Sequence, residues 1–267
     1  MTFNGFVVIN FACGDVSGYT KFTKDQIKLI QVNYSNVTAW GVPTFKREKL
    51  FRVGSICQSI VYYKDYIIAF YDRIGTIKVV NLKTNTVVRS VPTSSVITPA
   101  KPSENNIHCN SAALMPIKYD SSDFFPMIIL SGDGAKARII RLVGSDPAGV
   151  SASVVCDWTM PAGGMVAVAG NNLYFLRWSV YLYKVNIDIT SKSNYVNKTF
   201  TFVDNCTQLS DNILKTGQAM SAFTLPGNKG DMLVAQYGPE TPHWNTKLTS
   251  DKYYYSGMTF CSIKNQG

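Results

Sequence analysis

The run Cys57-Gln58-Ser59-Ile60-Val61-Tyr62-Tyr63, the step Lys64-Asp65 and the run Tyr66-Ile67-Ile68-Ala69-Phe70-Tyr71 decide the fold of this chain. β-Branched and aromatic residues crowd both runs, and two polar residues part them, which is a β-hairpin signature. The pattern then continues through a turn at 72–75, the run Thr76-Ile77-Lys78-Val79-Val80-Asn81-Leu82, the polar step Lys83-Thr84-Asn85 and the run Thr86-Val87-Val88-Arg89-Ser90-Val91. Four short strands in succession are predicted here.

The opening of this unit recurs. Short apolar segments start after a small or thiol residue at Gly5, Cys57, Cys109, Gly164 and Gly217, spaced by 52, 52, 55 and 53 residues. The fourth unit repeats the strand pattern with Met165 to Ala169, Leu173 to Leu176, Tyr181 to Val185 and Thr199 to Phe202. No segment of adequate length carries a 3.6-residue apolar period, although Thr23 to Val32 suits a short helical turn. Repeated four-stranded units of this size are the blades of a propeller, whose closure leaves only short sheet edges. The expected fold is therefore all-β: one five-bladed β-propeller domain, with units at about 5–56, 57–108, 109–163, 164–216 and 217–267. A two-sheet sandwich also has many short strands, but it does not require the period.

Composition agrees with a single folded domain. The chain has 267 residues, 46% hydrophobic and only 16% charged, enough apolar material for a sizeable core. No run approaches the roughly 18 apolar residues of a membrane-spanning helix, so no membrane insertion is expected. The stretch Phe6-Val7-Val8-Ile9 has no Lys or Arg before it and is short, so it reads as a first strand rather than as a leader. Six cysteines stand far apart at 13, 57, 109, 156, 206 and 261 beside only two histidines. That spacing offers no zinc site, and the thiols read as buried in a reducing compartment.

At the third unit, His108-Cys109-Asn110-Ser111-Ala112, Lys118-Tyr119 and Asp123-Phe124-Phe125-Pro126-Met127-Ile128-Ile129-Leu130-Ser131 resemble a group of uncharacterised β-propeller proteins of gut Bacteroidetes and their phages. There a His-x-Asn segment precedes a Phe-Pro-Leu-Leu-Tyr-Val-Ser-like strand. The Tyr66 to Leu82 hairpin looks like that group's hairpin too, and the resemblance covers units two to four. This chain departs from the pattern with Met127-Ile128-Ile129 in place of Leu-Leu-Tyr, and it lacks the secretion signal many members carry. The resemblance implies a fold and a habitat; it brings no established chemistry.

Catalytic signatures are missing from the sequence. Gly132-Asp133-Gly134-Ala135-Lys136-Ala137 matches a dinucleotide-binding pattern, but it lies between two strands with no helix after it and reads as a hairpin turn. No cofactor is expected. Paired carboxylates for glycoside hydrolysis would have to come from Asp72 with Asp133 or Glu240, and no spacing favours a pair. The candidate binding residues are Glu240, His243 and Trp244, in the Pro-rich loop Gly238 to Asn245, with Arg177 and Trp178 as a further stacking pair. Gln58, His108, Asn110 and Gln218 are expected to face the central channel, where His108 would either meet a ligand or tie two blades together.

Lys and Arg number 26 against 17 Asp and Glu, a net charge of +9. Apart from Lys46-Arg47-Glu48-Lys49, the basic residues are dispersed rather than gathered in the stripe of a nucleic-acid binder. Nucleic acid is thus not the expected partner; other protein subunits of an assembly, or a surface glycan, are. The expected function is a non-enzymatic binding or assembly module. The resemblance, with the Asn, Lys, Ile and Tyr abundance of an AT-rich genome, makes it a bacteriophage virion component of a tail or attachment structure, assembled in the host cytoplasm. A carbohydrate-active enzyme, either a glycan hydrolase or a lyase, and a bacterial cell-surface or periplasmic glycan-binding protein are the alternatives.

Overall fold

The computed structural model describes residues 57–71, 76–92, 96, 109, 111–131, 136–161, 164–177, 181–210, 217–224, 230–237 and 257–263. Residues 5–56, the first expected unit, lie outside them. The first sheet contains β1 (Ser59–Tyr63), β2 (Tyr66–Tyr71), β3 (Thr76–Asn81) and β4 (Thr86–Pro92), paired in that order and all antiparallel. Lys64 takes φ 53° in the two-residue turn between β1 and β2, as such hairpins require. Asn81 Oδ1 accepts the amides of Lys83 and Thr84 and so shapes the turn into β4.

The second sheet repeats this order with β5 (Ser111–Leu114), β6 (Ile128–Ser131), β7 (Lys136–Val143) and β8 (Ser151–Thr159). The third has β9 (Gly164–Ala169), β10 (Asn172–Arg177), β11 (Tyr181–Val185) and β12 (Cys206–Ser210). The fourth has β13 (Gly217–Thr224), β14 (Asp231–Tyr237) and β15 (Gly257–Ile263) among the described residues. No helix among the described residues is long and apolar enough to cross a membrane.

Each sheet buries side chains on alternate faces against its neighbours in sequence. Val61, Ile68, Phe70, Ile77 and Val79 meet Ile128, Leu130, Ile140 and Leu142 between the first and second sheets. Ile129, Ile139 and Trp158 of the second sheet meet Val166, Leu173 and Phe175 of the third. Met165, Tyr174 and Leu176, from the other face of the third, meet Met220 and Leu233 of the fourth. Two buried faces per sheet explain why the strands read as almost continuous apolar runs. Each such Val, Ile, Leu or Phe contributes roughly 1.5–3 kcal/mol relative to exposure.

Buried polar groups join the sheets. The Ser111 hydroxyl donates to the Val166 carbonyl at 2.9 Å and accepts the Val166 amide at 3.1 Å, and Ser131 Oγ donates to the Gly164 carbonyl at 2.9 Å. Asp231, only 2% exposed, accepts hydrogen bonds from Asn172 Nδ2, the Tyr174 hydroxyl and Thr224 Oγ1 at 2.7, 2.6 and 2.9 Å. A buried carboxylate held by three donors has its desolvation met.

The outermost strand of each four-stranded sheet carries a β-bulge against its partner, between Val79 and Val80, between Ile139 and Ile140, and between Leu182 and Tyr183. Bulges twist a sheet edge away from further pairing. One sequence expectation is corrected: Thr199 to Phe202 is not the last strand of its unit. Phe202–Asn205 forms one helical turn, and Cys206–Ser210 supplies the strand. Phe200 is apolar because it stacks on Trp158 of β8, with centroids 4.3 Å apart and planes 7° apart. The 186–205 excursion thereby reaches back to the second sheet, where Thr201 also bridges Thr159.

Candidate functional site

The connection 115–127, between β5 and β6, gathers side chains from three sheets at one end of the molecule. Its path is set by Asp120 and Asp123. Asp120 Oδ1 accepts the Ser122 amide at 2.9 Å and the Ser122 hydroxyl at 2.7 Å. Asp123, 1% exposed, accepts from Arg141 at 2.9 Å and from the Gly144 amide at 3.1 Å, while the Phe124 amide donates to the Gly144 carbonyl at 2.7 Å. Gly144 has φ +133°, a backbone that L side chains rarely adopt.

Held in this way, the connection turns Phe124 and Phe125 toward the first sheet. Their rings meet Tyr63 and Tyr66 edge to face with centroids 5.4–6.0 Å apart, and Lys64 Nζ stands 5.1 Å from the Phe124 centroid and 5.2 Å from that of Tyr63. On its other flank Tyr119 lies under two cations, the Arg141 guanidinium at 4.6 Å and Lys192 Nζ at 4.5 Å. Lys192 belongs to the excursion of the third sheet, and its ammonium also donates to the Tyr119 carbonyl. Phe125 is buried, whereas Tyr63, Tyr66, Tyr119 and Phe124 are half-buried and Lys64 and Lys192 exposed. The result is an aromatic rim with cations set into it.

The acids at this end are tied up locally. The Ser122 amide and hydroxyl, with Arg141 and Lys192 behind them, hold the Asp120 carboxyl below the usual range. Asp188 is held down likewise by the Thr190 hydroxyl and amide. Both remain ionised at neutral pH, the opposite of the raised carboxylic acid that a glycosidase needs as proton donor. Among the described residues no group of three or more His, Cys, Asp or Glu could hold a metal ion.

Of the residues singled out in the sequence, Arg177 ends β10, half-buried and paired with Gly164 and Tyr181. Gln58 is half-buried, and its amide donates to the Phe70 carbonyl at 2.9 Å just ahead of β1. Gln218 lies where the β13–β14 register shifts, between Gly217 and Ala219. His108, Asn110, Trp178, Asp72, Asp133, Glu240, His243 and Trp244 lie outside the described residues. Tyr237, the last described residue before His243 and Trp244 in sequence, stands at the end of the fourth sheet away from Thr224 and Asp231. The Thr224 end is the one that meets Gly170, in the turn between β9 and β10.

These sheets define an all-β protein of consecutive antiparallel meanders, each packed on the next. No protein-family model matches the chain, and no curated protein matches it. Its trace is similar to that of the RRP9 WD40 repeats, with a TM-score of 0.39 and 10% identity over 73% of this chain and 47% of that one. Similar too are Kuenenia stuttgartiensis hydrazine synthase (0.38, 11%, 83% and 67%) and the computationally designed Ika4 protein (0.34, 10%, 79% and 98%). The chain thus spans about half the length of the RRP9 repeats. The fold class rests on the strand pairing.

Proposed function

We propose that this chain is a non-enzymatic binding and assembly module, a five-bladed β-propeller that serves as a bacteriophage virion component in a tail or attachment structure. The observation that carries the binding part is the rim of Tyr63, Tyr66, Tyr119 and Phe124 with Lys64 and Lys192, mounted on rigid sheets. Aromatic side chains of this kind anchor protein partners, because they offer large contact area at low entropic cost, and the two lysines favour a partner that carries acidic groups. The acids beside them are fixed as hydrogen-bond acceptors, which disfavours a hydrolase centred there. The five-fold count is supported by the period of about 53 residues, and the virion role by the family resemblance of the third unit. On this reading the Gly238 to Asn245 loop is a second contact surface, where Trp244→Ala weakens association by more than about 1 kcal/mol.

An antibody raised against the chain, applied to gradient-purified phage particles and to fractions of the infected host, tests the assignment. The chain should band with intact particles. Recovery only in the envelope fraction would favour the glycan-binding reading, and glycan cleavage by the purified chain would favour the enzyme.

A further inference from the structure

The aromatic rim is a row with a cation at each end. Lys64, in the β1–β2 turn, stands at the first-sheet end, with Nζ 5.2 Å from the Tyr63 centroid and 5.1 Å from that of Phe124. Tyr66 meets the same Phe124 ring with centroids 5.4 Å apart. Tyr119 follows on the other flank of the connection, and Lys192 closes the row from the third sheet, with Nζ 4.5 Å from the Tyr119 centroid. Tyr63, Tyr66, Phe124 and Tyr119 each keep part of their surface in water, and Lys64 and Lys192 are exposed.

These two ammonium groups differ from the other cations around the connection. The Arg141 guanidinium is engaged by buried Asp123 at 2.9 Å, and Lys83 by Asp65 at 2.8 Å. Among the described residues no carboxylate stands within ion-pair distance of Lys64 or Lys192. Asp120, whose carboxyl feels Lys192, is held first by the Ser122 amide and hydroxyl, and Asp188 by those of Thr190. A lysine laid against an aromatic ring is already partly ordered, so an incoming carboxylate meets it at a lower entropic cost than it would meet a free surface lysine.

We propose that the rim takes one linear segment of a partner protein in which an apolar or aromatic residue is flanked on both sides by Asp or Glu. The apolar residue packs on the aromatic middle of the row, and one acid meets each lysine. The inference rests on the binding reading of this rim and specifies the partner. A basic segment is repelled at both ends. An acidic polysaccharide carries charge along its whole length and would set carboxylates against the aromatic middle, where nothing compensates their desolvation.

A randomised dodecapeptide library displayed on yeast, selected against the full chain, tests this. The enriched peptides should carry acids on both sides of an apolar residue and should protect 115–127 from amide exchange. Their affinity should fall at least about fivefold in Lys64→Glu and in Lys192→Glu alike, each first shown to melt with the unchanged protein. Lys198→Glu, the same charge change on an exposed lysine of the excursion outside the rim, should leave it unaltered. Peptides that protect 115–127 but carry acids on one side only, or none, overturn this inference and leave the rim a binding surface. An absence of enriched peptides, or peptides that protect other segments and ignore both lysine changes, overturns the binding reading of the rim as well. Polygalacturonate that binds more tightly than any selected peptide, with the same dependence on the two lysines, would make an acidic glycan the ligand and overturn the proposal.

Discussion

A Cβ built on Gly164 would stand 1.9 Å from Phe175 Cε2 and 2.0 Å from its Cζ. Glycine is required there by close approach rather than by φ, since its carbonyl is also the acceptor for Ser131 of the second sheet. Gly164→Ala should destabilise the fold by roughly 1–3 kcal/mol as overpacking, measured by urea unfolding. In combination with Phe175→Leu, the two costs should fail to add by about 0.5 kcal/mol or more; strict additivity would show that the ring moves away freely. The half-buried thiols make a second prediction at this scale. Burial pushes Cys206 up to about 12, and burial together with Asp157 pushes Cys156 up to about 11, against about 8.5 for a thiol in an unfolded chain. The folded state thus favours the protonated form, and its advantage is whole below about pH 8.5 and is lost as pH rises toward the folded values. Melting temperature should fall between about pH 9 and 11, and less steeply in a Cys156→Ala/Cys206→Ala variant; equal slopes would remove the thiols as the cause.

The connection 115–127 is the element on which three sheets converge, and Asp123 is its hinge pin. Asp123→Ala removes the acceptor for Arg141 and for the Gly144 amide, and Arg141 keeps a fifth of its side chain in water to soften the loss. A cost of about 3 kcal/mol, the lower end for breaking a buried pair, is expected, with Phe124 and Tyr119 loosened together in amide exchange. Exchange unchanged across 115–127 would mean that the aromatic contacts alone hold it. Strands such as Tyr66–Tyr71 and Ile128–Ser131 were readable in the sequence because burial of both faces leaves them apolar throughout. Cys206–Ser210 was not, because an outermost strand is half polar, and the apolar Phe200 nearby owes its character to Trp158, some forty positions earlier. The rim was invisible for a related reason: Tyr119 and Lys192 are neighbours only after two sheets have packed, and no local pattern encodes that. The Asp120-Ser121-Ser122-Asp123 turn was the one local signal available, and it marks the loop without revealing what the loop gathers.

At the scale of the whole molecule, the exposed Val87 and Val154 lie on β4 and β8 and Leu209 on β12, each the last strand of its sheet. These three stand at the outer edges, where the bulges discourage pairing with another chain, whereas exposed Val203 lies on the helical turn Phe202–Asn205 and exposed Phe223 on β13. Val87→Lys and Val154→Lys should each change stability by less than about 0.5 kcal/mol, whereas a loss beyond about 2 kcal/mol would show that these edges are covered. In the proposed function the sheets are rigid blades around one axis, presenting their connections at the two ends. The most direct test is a crystal structure of the full chain, in which the sheets around the axis can be counted. Five sheets are predicted, one for each unit of about 53 residues. Four sheets, six sheets, or two sheets packed face to face would contradict the account.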